Sequence, residues 1–262
     1  MKEMLRQIDR IAELQQRFLP RKLPQLAGWH WAGYHRAGRR PGGDYYNLFA
    51  RPDGRLAMFL GDASDHGAIS AALVAMVHVM LRACPLSSGK DRSPFCPLTE
   101  PVLQPPHILL EHLNRVLVEN SLDEQFMTAF CGVLDPADGT FHFANAGHPE
   151  PRWWRKKKGG VEAVATASGY PLGLETASTY HRRWIEIAPG DLLVLFSDGL
   201  LASWNPAHEI FELQRLDQII SDTAREGADA VSAAITGEWD KLLAGKEPAD
   251  DATILVLERE CE

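Results

Sequence analysis

The chain has 262 residues, 45% hydrophobic and 24% charged, a balance that suits a folded globular protein and excludes a charge-rich disordered chain. Its formal net charge of −8 argues against nucleic acid as the main partner. Cys84, Cys96, Cys131 and Cys261 form no Cys-x-x-Cys pair, so their spacing offers no zinc site and fits reduced thiols in a cytoplasmic protein.

The first ten residues are charged and precede no apolar run with a small-residue cleavage site, so they do not read as a signal peptide. Residues 1–20 place Leu5, Ile8, Ile11, Ala12 and Phe18 at helical spacing and stop at Pro20. This helix either packs on the body of the protein or serves as a regulatory or dimerising element. Residues 21–262 are expected to form a single domain. Strands are expected at 28–34, 45–50 and 55–60, the last two joined by a hairpin at Pro52-Asp53-Gly54. Residues 68–83, rich in Ala, Leu, Val and Met, predict a buried helix. Their apolar core contains Ser70 and His78 and is too short to span a bilayer, so no membrane role is expected.

Residues 85–106 carry six prolines and exclude a long helix or a central strand, which marks a surface insertion. A helix is expected at 107–120. Strands at 126–134 and 140–145 flank the turn Asp135-Pro136-Ala137-Asp138-Gly139, and strands at 152–155 and 161–165 flank Lys156-Lys157-Lys158-Gly159-Gly160. Further strands are predicted at 180–187 and 192–196, helices near 210–224 and 228–243, and a closing strand at 253–258. Hairpin-linked strands with grouped helices argue for an α+β sandwich.

Four motifs place an aspartate at the edge of a strand-like run: Gly42-Gly43-Asp44, Leu60-Gly61-Asp62-Ala63, Phe196-Ser197-Asp198-Gly199 and Asp250-Asp251-Ala252-Thr253. Strands that share a core can bring their ends to one rim. Carboxylates gathered there repel, by roughly 4 kcal/mol per pair at about 4 Å and an effective dielectric near 20, and so require protons or cations. All-oxygen carboxylate sites suit Mg²⁺ or Mn²⁺, which points to two-metal hydrolysis of a phosphate. Taken singly, such an aspartate is more often a turn or helix-cap residue.

Taken together, the motifs resemble the bacterial SpoIIE/RsbU-like branch of the metal-dependent type 2C protein serine/threonine phosphatases (the PPM family). The matching segments are Leu19-Pro20 to Leu23-Pro24, Gly42-Gly43-Asp44-Tyr45-Tyr46, Gly61-Asp62-Ala63-Ser64-Asp65-His66-Gly67, Asn145-Ala146-Gly147-His148-Pro149, Pro171-Leu172-Gly173-Leu174, Pro189-Gly190-Asp191 with Ser197-Asp198-Gly199, and Asp250-Asp251-Ala252-Thr253. The resemblance implies an α-β-β-α four-layer sandwich of two antiparallel sheets flanked by helices, with a binuclear Mn²⁺ or Mg²⁺ centre at one end. Asp44, Asp62, Asp198 and the carbonyl of Ala63 would be ligands, and Asp62 the bridge. Asp250 would be the last ligand, with Asp251 as its rival. A metal-bridging water would attack phosphoserine or phosphothreonine directly, with no phosphoenzyme.

By the same resemblance the substrate would be a phosphorylated bacterial regulatory protein of the anti-sigma-factor-antagonist type. Activation would come from a separate protein or from self-association through the N-terminal helix. Eukaryotic relatives carry a phosphate-binding arginine five residues before the first aspartate; Arg39 has that spacing, with Arg36 and Arg40 as rivals. His66 could protonate a leaving group, and His148 could order a loop. The basic run 152–158 is either a charged hairpin tip or a dock for an acidic partner.

The chain departs from the family pattern in four places. Asp65 stands where glycine is usual and Asn47 where aspartate is common. Leu200-Leu201-Ala202-Ser203-Trp204 and Phe211-Glu212 replace an acidic residue and a Phe-Gly pair. The proline-rich insertion is long. These changes motivate an alternative, a degenerate phosphatase fold acting as a partner-binding module. A third class, cyclic-dinucleotide synthesis, shares Gly-Gly-Asp but would continue Glu-Phe, where this chain has Tyr45-Tyr46.

Overall fold

The computed structural model describes residues 2–38, 41–51, 53–83, 105–122, 124–203 and 210–261. Most of the proline-rich stretch, together with Arg39 and Arg40, lies outside them. The elements run α1 (Lys2–Gln16), β1 (Trp29–Arg36), β2 (Asp44–Ala50), β3 (Leu56–Ala63), α2 (Ala68–Ala83), α3 (Pro106–Asn120), β4 (Met127–Leu134) and β5 (Thr140–Ala146). Then follow β6 (Arg152–Arg155), β7 (Gly160–Ala163), β8 (Arg183–Glu186), β9 (Leu192–Phe196), α4 (Leu213–Thr223), α5 (Ala228–Leu243) and β10 (Ala252–Arg259).

The strands form two five-stranded antiparallel sheets, β1-β10-β9-β6-β7 and β2-β3-β4-β5-β8. Between them Tyr46, Leu48, Met58, Leu60, Phe130 and Phe143 meet Trp31, Leu193, Leu195, Leu255 and Leu257. On the far side of the second sheet, Tyr45, Phe59, Ala129 and Cys131 pack under Leu73, Val77 and Leu81 of α2 and Leu110, Leu113 and Leu117 of α3. On the far side of the first sheet, Val194, Phe196, Ile254 and Val256 pack under Leu216 and Ile220 of α4 and Val231, Ile235 and Trp239 of α5. This is the four-layer sandwich expected. A strand covered on both faces must be apolar at every position, which is why 56–60 reads as an unbroken run and is buried throughout.

Several element ends differ from expectation by up to three residues, among them the starts of β8 and α4. β8 begins at Arg183 rather than at 180, because Tyr180 is buried in the helix-side cluster, whereas Ile185 and Ile187 join the layer between the sheets. The segment must pass from one layer to the other before it can pair with β5. After Asp198 the described residues make one 3₁₀ turn, Asp198–Leu200, and α4 starts at Leu213. The helix α1 lies against α2, and no helix among the described residues is long and apolar enough to cross a membrane.

Candidate active site

The register of the second sheet assembles one edge of the site. Asp44 of β2 lies directly opposite Asp62 of β3, and Asp62 directly opposite Thr128 of β4. Opposed residues of antiparallel strands point to one face, and alternation along each strand makes this the inner face that carries Tyr46, Leu60 and Phe130. Where that apolar layer ends, the next pair outward is two carboxylates. The other sheet supplies Ser197 and Asp198 after β9, and Asp250 and Asp251 before β10.

Asp44 is buried, and its two oxygens differ. Oδ2 accepts hydrogen bonds from Ser197 Oγ at 2.6 Å and Thr253 Oγ1 at 2.5 Å, while Oδ1 is buried with no partner. Burial first, then the Asp251 carboxylate, push the Asp44 carboxyl well above the usual range; the two hydroxyls act the other way, and Asp198 adds to the rise. Asp62, partly buried, is pushed up to about 10, first by burial and then by the charges of Asp44, Asp198 and Asp250. Three other carboxylates are therefore close enough to Asp62 to act on its charge, and both Asp198 and Asp250 are exposed at the rim.

Asp250 and Asp251 have opposite environments. Asp251 is buried, and its Oδ1 and Oδ2 accept backbone N–H groups of Gly38 at 2.8 Å and Asp44 at 3.2 Å. A Cβ on Gly42 would stand 1.7 Å from Asp251 Oδ2, so only glycine lets this carboxylate brace the loop. Asp250 Oδ1 accepts the N–H of Asp251, and the rest of that side chain faces outward. A Cβ on Gly43 would stand 2.5 Å from the Ala63 carbonyl oxygen and 2.7 Å from Asp62 Oδ1. Gly43 thus lets the first loop close over the carbonyl that was expected to be a ligand.

Among the described residues, no three Asp, Glu, His or Cys side chains already stand together as a finished cation cage. Asp44 and Asp251 are instead turned onto hydroxyls and amides of the protein. The donor chemistry still fits Mg²⁺ or Mn²⁺: every candidate ligand is oxygen, Asp44 Oδ1 is buried without a partner, and a side chain at position 43 would crowd the Ala63 carbonyl that Gly43 leaves clear.

A family model described as Stage II sporulation protein E (SpoIIE) matches residues 52–260. The chain belongs to the SpoIIE family. Protein IcfG of Synechocystis sp. is 26% identical over 281 residues, spanning 97% of this chain and 41% of that protein. Phosphoserine phosphatase RsbU of Bacillus subtilis is 25% identical over 259 residues, spanning 98% of this chain and 71% of that protein. The chain therefore covers less than half the length of the first of these relatives. Among solved structures, the SiaA-PP2C domain of Pseudomonas aeruginosa has a TM-score of 0.77 at 19% identity and covers 98% of this chain and 96% of that one. The PP2C phosphatase domain of SpoIIE from Bacillus subtilis, solved with a fragment of its regulatory domain, has a TM-score of 0.66 at 19% identity, covering 88% of this chain and 63% of that one. At these identities the structures establish a shared fold.

Placed in this family, the departures acquire physical causes. Asp65 has φ of 66°, a left-handed conformation that explains the usual glycine; aspartate is among the residues that tolerate it, and here it is exposed. Asn47 is buried and donates to Tyr45 Oη at 3.0 Å, which in turn bonds His78 of α2. Leu200 and Phe211 are buried against α4 and α5, and Ser203 Oγ donates to the Gly199 carbonyl at 2.7 Å, so these residues of the altered stretch are packed into the helix layer, while Trp204 lies outside the described residues.

The remaining candidates divide. Arg39 and Arg40 lie outside the described residues, and Arg36 donates to Asp240 at 2.8 Å and stands over the Trp239 ring. His66 is exposed. His148 is buried and pushed down to about 3 by burial, its Nδ1 bonded to Thr128 Oγ1 at 2.9 Å and its backbone tied to Asn145. That is an ordering role for the loop. In the basic hairpin, Arg152 pairs with Asp217, and Arg155 and Lys158 pair with Glu162, which favours a charged tip over a dock. Sequence motifs missed Ser197 and Thr253 as direct supports of Asp44, and His35 behind Thr253. The hydroxyl within each of the two motifs that contain them was the only signal for Ser197 and Thr253.

Proposed function

We propose that the protein is a metal-dependent phosphoprotein phosphatase acting on phosphoserine or phosphothreonine of a bacterial regulatory protein. The observation that carries this is the opposition of Asp44 and Asp62 at the rim, with Asp198 and Asp250 close enough to act on Asp62, in a chain of the SpoIIE family. Asp44, Asp62, Asp198, Asp250 and the Ala63 carbonyl would hold two Mn²⁺ or Mg²⁺ ions. Such ions, when bound, lower the pKa of water and offset phosphate charge.

The chain's own part is to hold those oxygens and leave one side open. Ser197 and Thr253 keep Asp44 Oδ2, so Oδ1 is the oxygen left for a cation. Asp251 is spent on backbone amides, which makes Asp250 the better ligand. Arg39, five residues before Asp44, is our candidate for the substrate phosphate. A small phosphorylated switch protein suits the exposed rim, and the name of RsbU, a phosphoserine phosphatase, supports that class.

Control would act through α1, by an activating protein or a second copy of the chain. Gln15 of α1 donates to the Gly42 carbonyl at 2.7 Å and accepts the Gly42 N–H at 3.1 Å, so the helix grips the loop that presents Asp44. The domain proper would then be residues 21–262, with 1–20 as its regulatory helix.

The test is hydrolysis of a phosphopeptide and of para-nitrophenyl phosphate with added Mn²⁺. The wild type is expected to turn over, and Asp62→Asn and Asp198→Asn to lose nearly all activity. Equal rates for all three would sink the proposal. No Mn²⁺ binding at millimolar metal would favour the partner-binding module instead.

A further inference from the structure

The hydrogen bonds behind Asp44 assign a proton to a histidine that no motif singles out. Thr253 has one hydroxyl hydrogen, and it is directed to Asp44 Oδ2 at 2.5 Å. His35 Nδ1 lies 3.0 Å from the same Thr253 oxygen. Two groups that only accept cannot bond each other, so Nδ1 must carry the hydrogen and donate it. Burial lowers His35 to about 4, so at neutral pH the ring is neutral and holds a single N–H, at Nδ1.

Ser197 shows the same construction. Its hydroxyl donates to Asp44 Oδ2 while its oxygen accepts the Thr253 N–H at 2.9 Å. Each hydroxyl that grips Oδ2 is itself gripped from behind, so neither can rotate away without breaking a second bond. The cavity beside Asp44 that His35, Gln15, Gly42 and Asp251 also line is about 20 Å³, space for one water.

We propose that His35 is a positioning residue for the metal centre: its Nδ1–H orients the Thr253 hydroxyl, which fixes Asp44 Oδ2 and leaves Oδ1 to face a divalent cation. The inference rests on the metal-dependent reading above. Residues that orient a ligand typically change metal affinity by about 10–100-fold when removed.

The experiment is Mn²⁺ titration calorimetry on the full chain, paired with nitrogen-15 NMR of the metal-free protein to read the His35 tautomer. His35→Leu, which has no donor, is expected to bind Mn²⁺ about tenfold more weakly or worse. His35→Asn carries an amide nitrogen near the place of Nδ1 and is expected to stay within about threefold of wild type, on the same allowance for one retained donor. His35→Gln, whose nitrogen reaches the Nε2 position, is expected to behave like Leu and replaces it in the comparison if Leu does not fold. Wild type should show Nδ1–H, and Thr253→Val should release His35 to Nε2–H. Equal Mn²⁺ affinity across the series, or an Nε2–H wild type, would overturn the proposal while leaving the phosphatase reading standing. A wild type that binds no Mn²⁺ would overturn both.

Discussion

Removing one charge from the site should stabilise the metal-free protein while abolishing its response to metal. Asp44 and Asp62 are directly opposed, and across an antiparallel pair the Cα atoms stand about 4.5–5.5 Å apart. Two ionised carboxylates about 5 Å apart repel by about 3 kcal/mol at an effective dielectric near 20. Protonation relieves part of this, so Asp62→Asn should gain about 1–3 kcal/mol, at about 2–4 °C of melting temperature per kcal/mol for a chain of this size. The pH dependence has a definite sign. Asp62, pushed up to about 10 mainly by burial, binds its proton more tightly folded than unfolded. Its stabilising contribution is complete below about pH 4, the ordinary carboxyl range, and is lost as pH rises toward its folded value. Wild type in chelator should therefore melt at progressively lower temperature from pH 5 to 9, and Asp62→Asn should show a flatter profile. Saturating Mn²⁺ should raise the wild-type melting temperature, most at the alkaline end, and leave the variant unmoved. A metal-free Asp62→Asn that melts below wild type at pH 8 would refute the reasoning, because it would mean the carboxylate is satisfied without a cation.

The other predictions address single contacts. Asp250→Asn should weaken Mn²⁺ binding at least tenfold with little change in melting temperature, whereas Asp251→Ala should cost about 2–3 kcal/mol in denaturant unfolding, by orphaning the buried N–H groups it accepts. Gly43→Ala places a Cβ within 2.5 Å of the Ala63 carbonyl oxygen, so calorimetry should find Mn²⁺ affinity lost even if circular dichroism shows the fold intact. Gln15→Leu removes both bonds from α1 to Gly42; hydrogen exchange at the 41–44 loop should speed up, and stability should fall by about 1–2 kcal/mol.

Nearly every element was legible because both kinds of signal agree in this chain. Turns such as Asp135-Pro136-Ala137-Asp138-Gly139 punctuate runs that must be apolar on two faces, so strands announce themselves by composition as well as by their ends. The layer a residue joins was not legible. Tyr180 and Ile185 look alike as strand residues, yet one packs under α3 and the other between the sheets, and only the tertiary path separates them. Asp65 looked like an intrusive charge because a sequence shows the side chain and hides φ.

The aspartates divide along the same line. That they gather could be argued from strand ends alone, since runs that share a core end at a common rim. Which of two adjacent aspartates is available could not, because Asp250 and Asp251 differ by one residue and by nothing else in sequence. One step along an extended chain reverses the side a residue faces. Asp251 faces inward, against the backbone amides of Gly38 and Asp44, and is consumed there. Asp250 faces the rim and adds its charge to the group acting on Asp62. The inward carboxylate holds the first loop in place and the outward one would be left for a cation, so exchanging their places would require reversing the alternation of β10, and with it the burial of Ile254 and Val256 under α5.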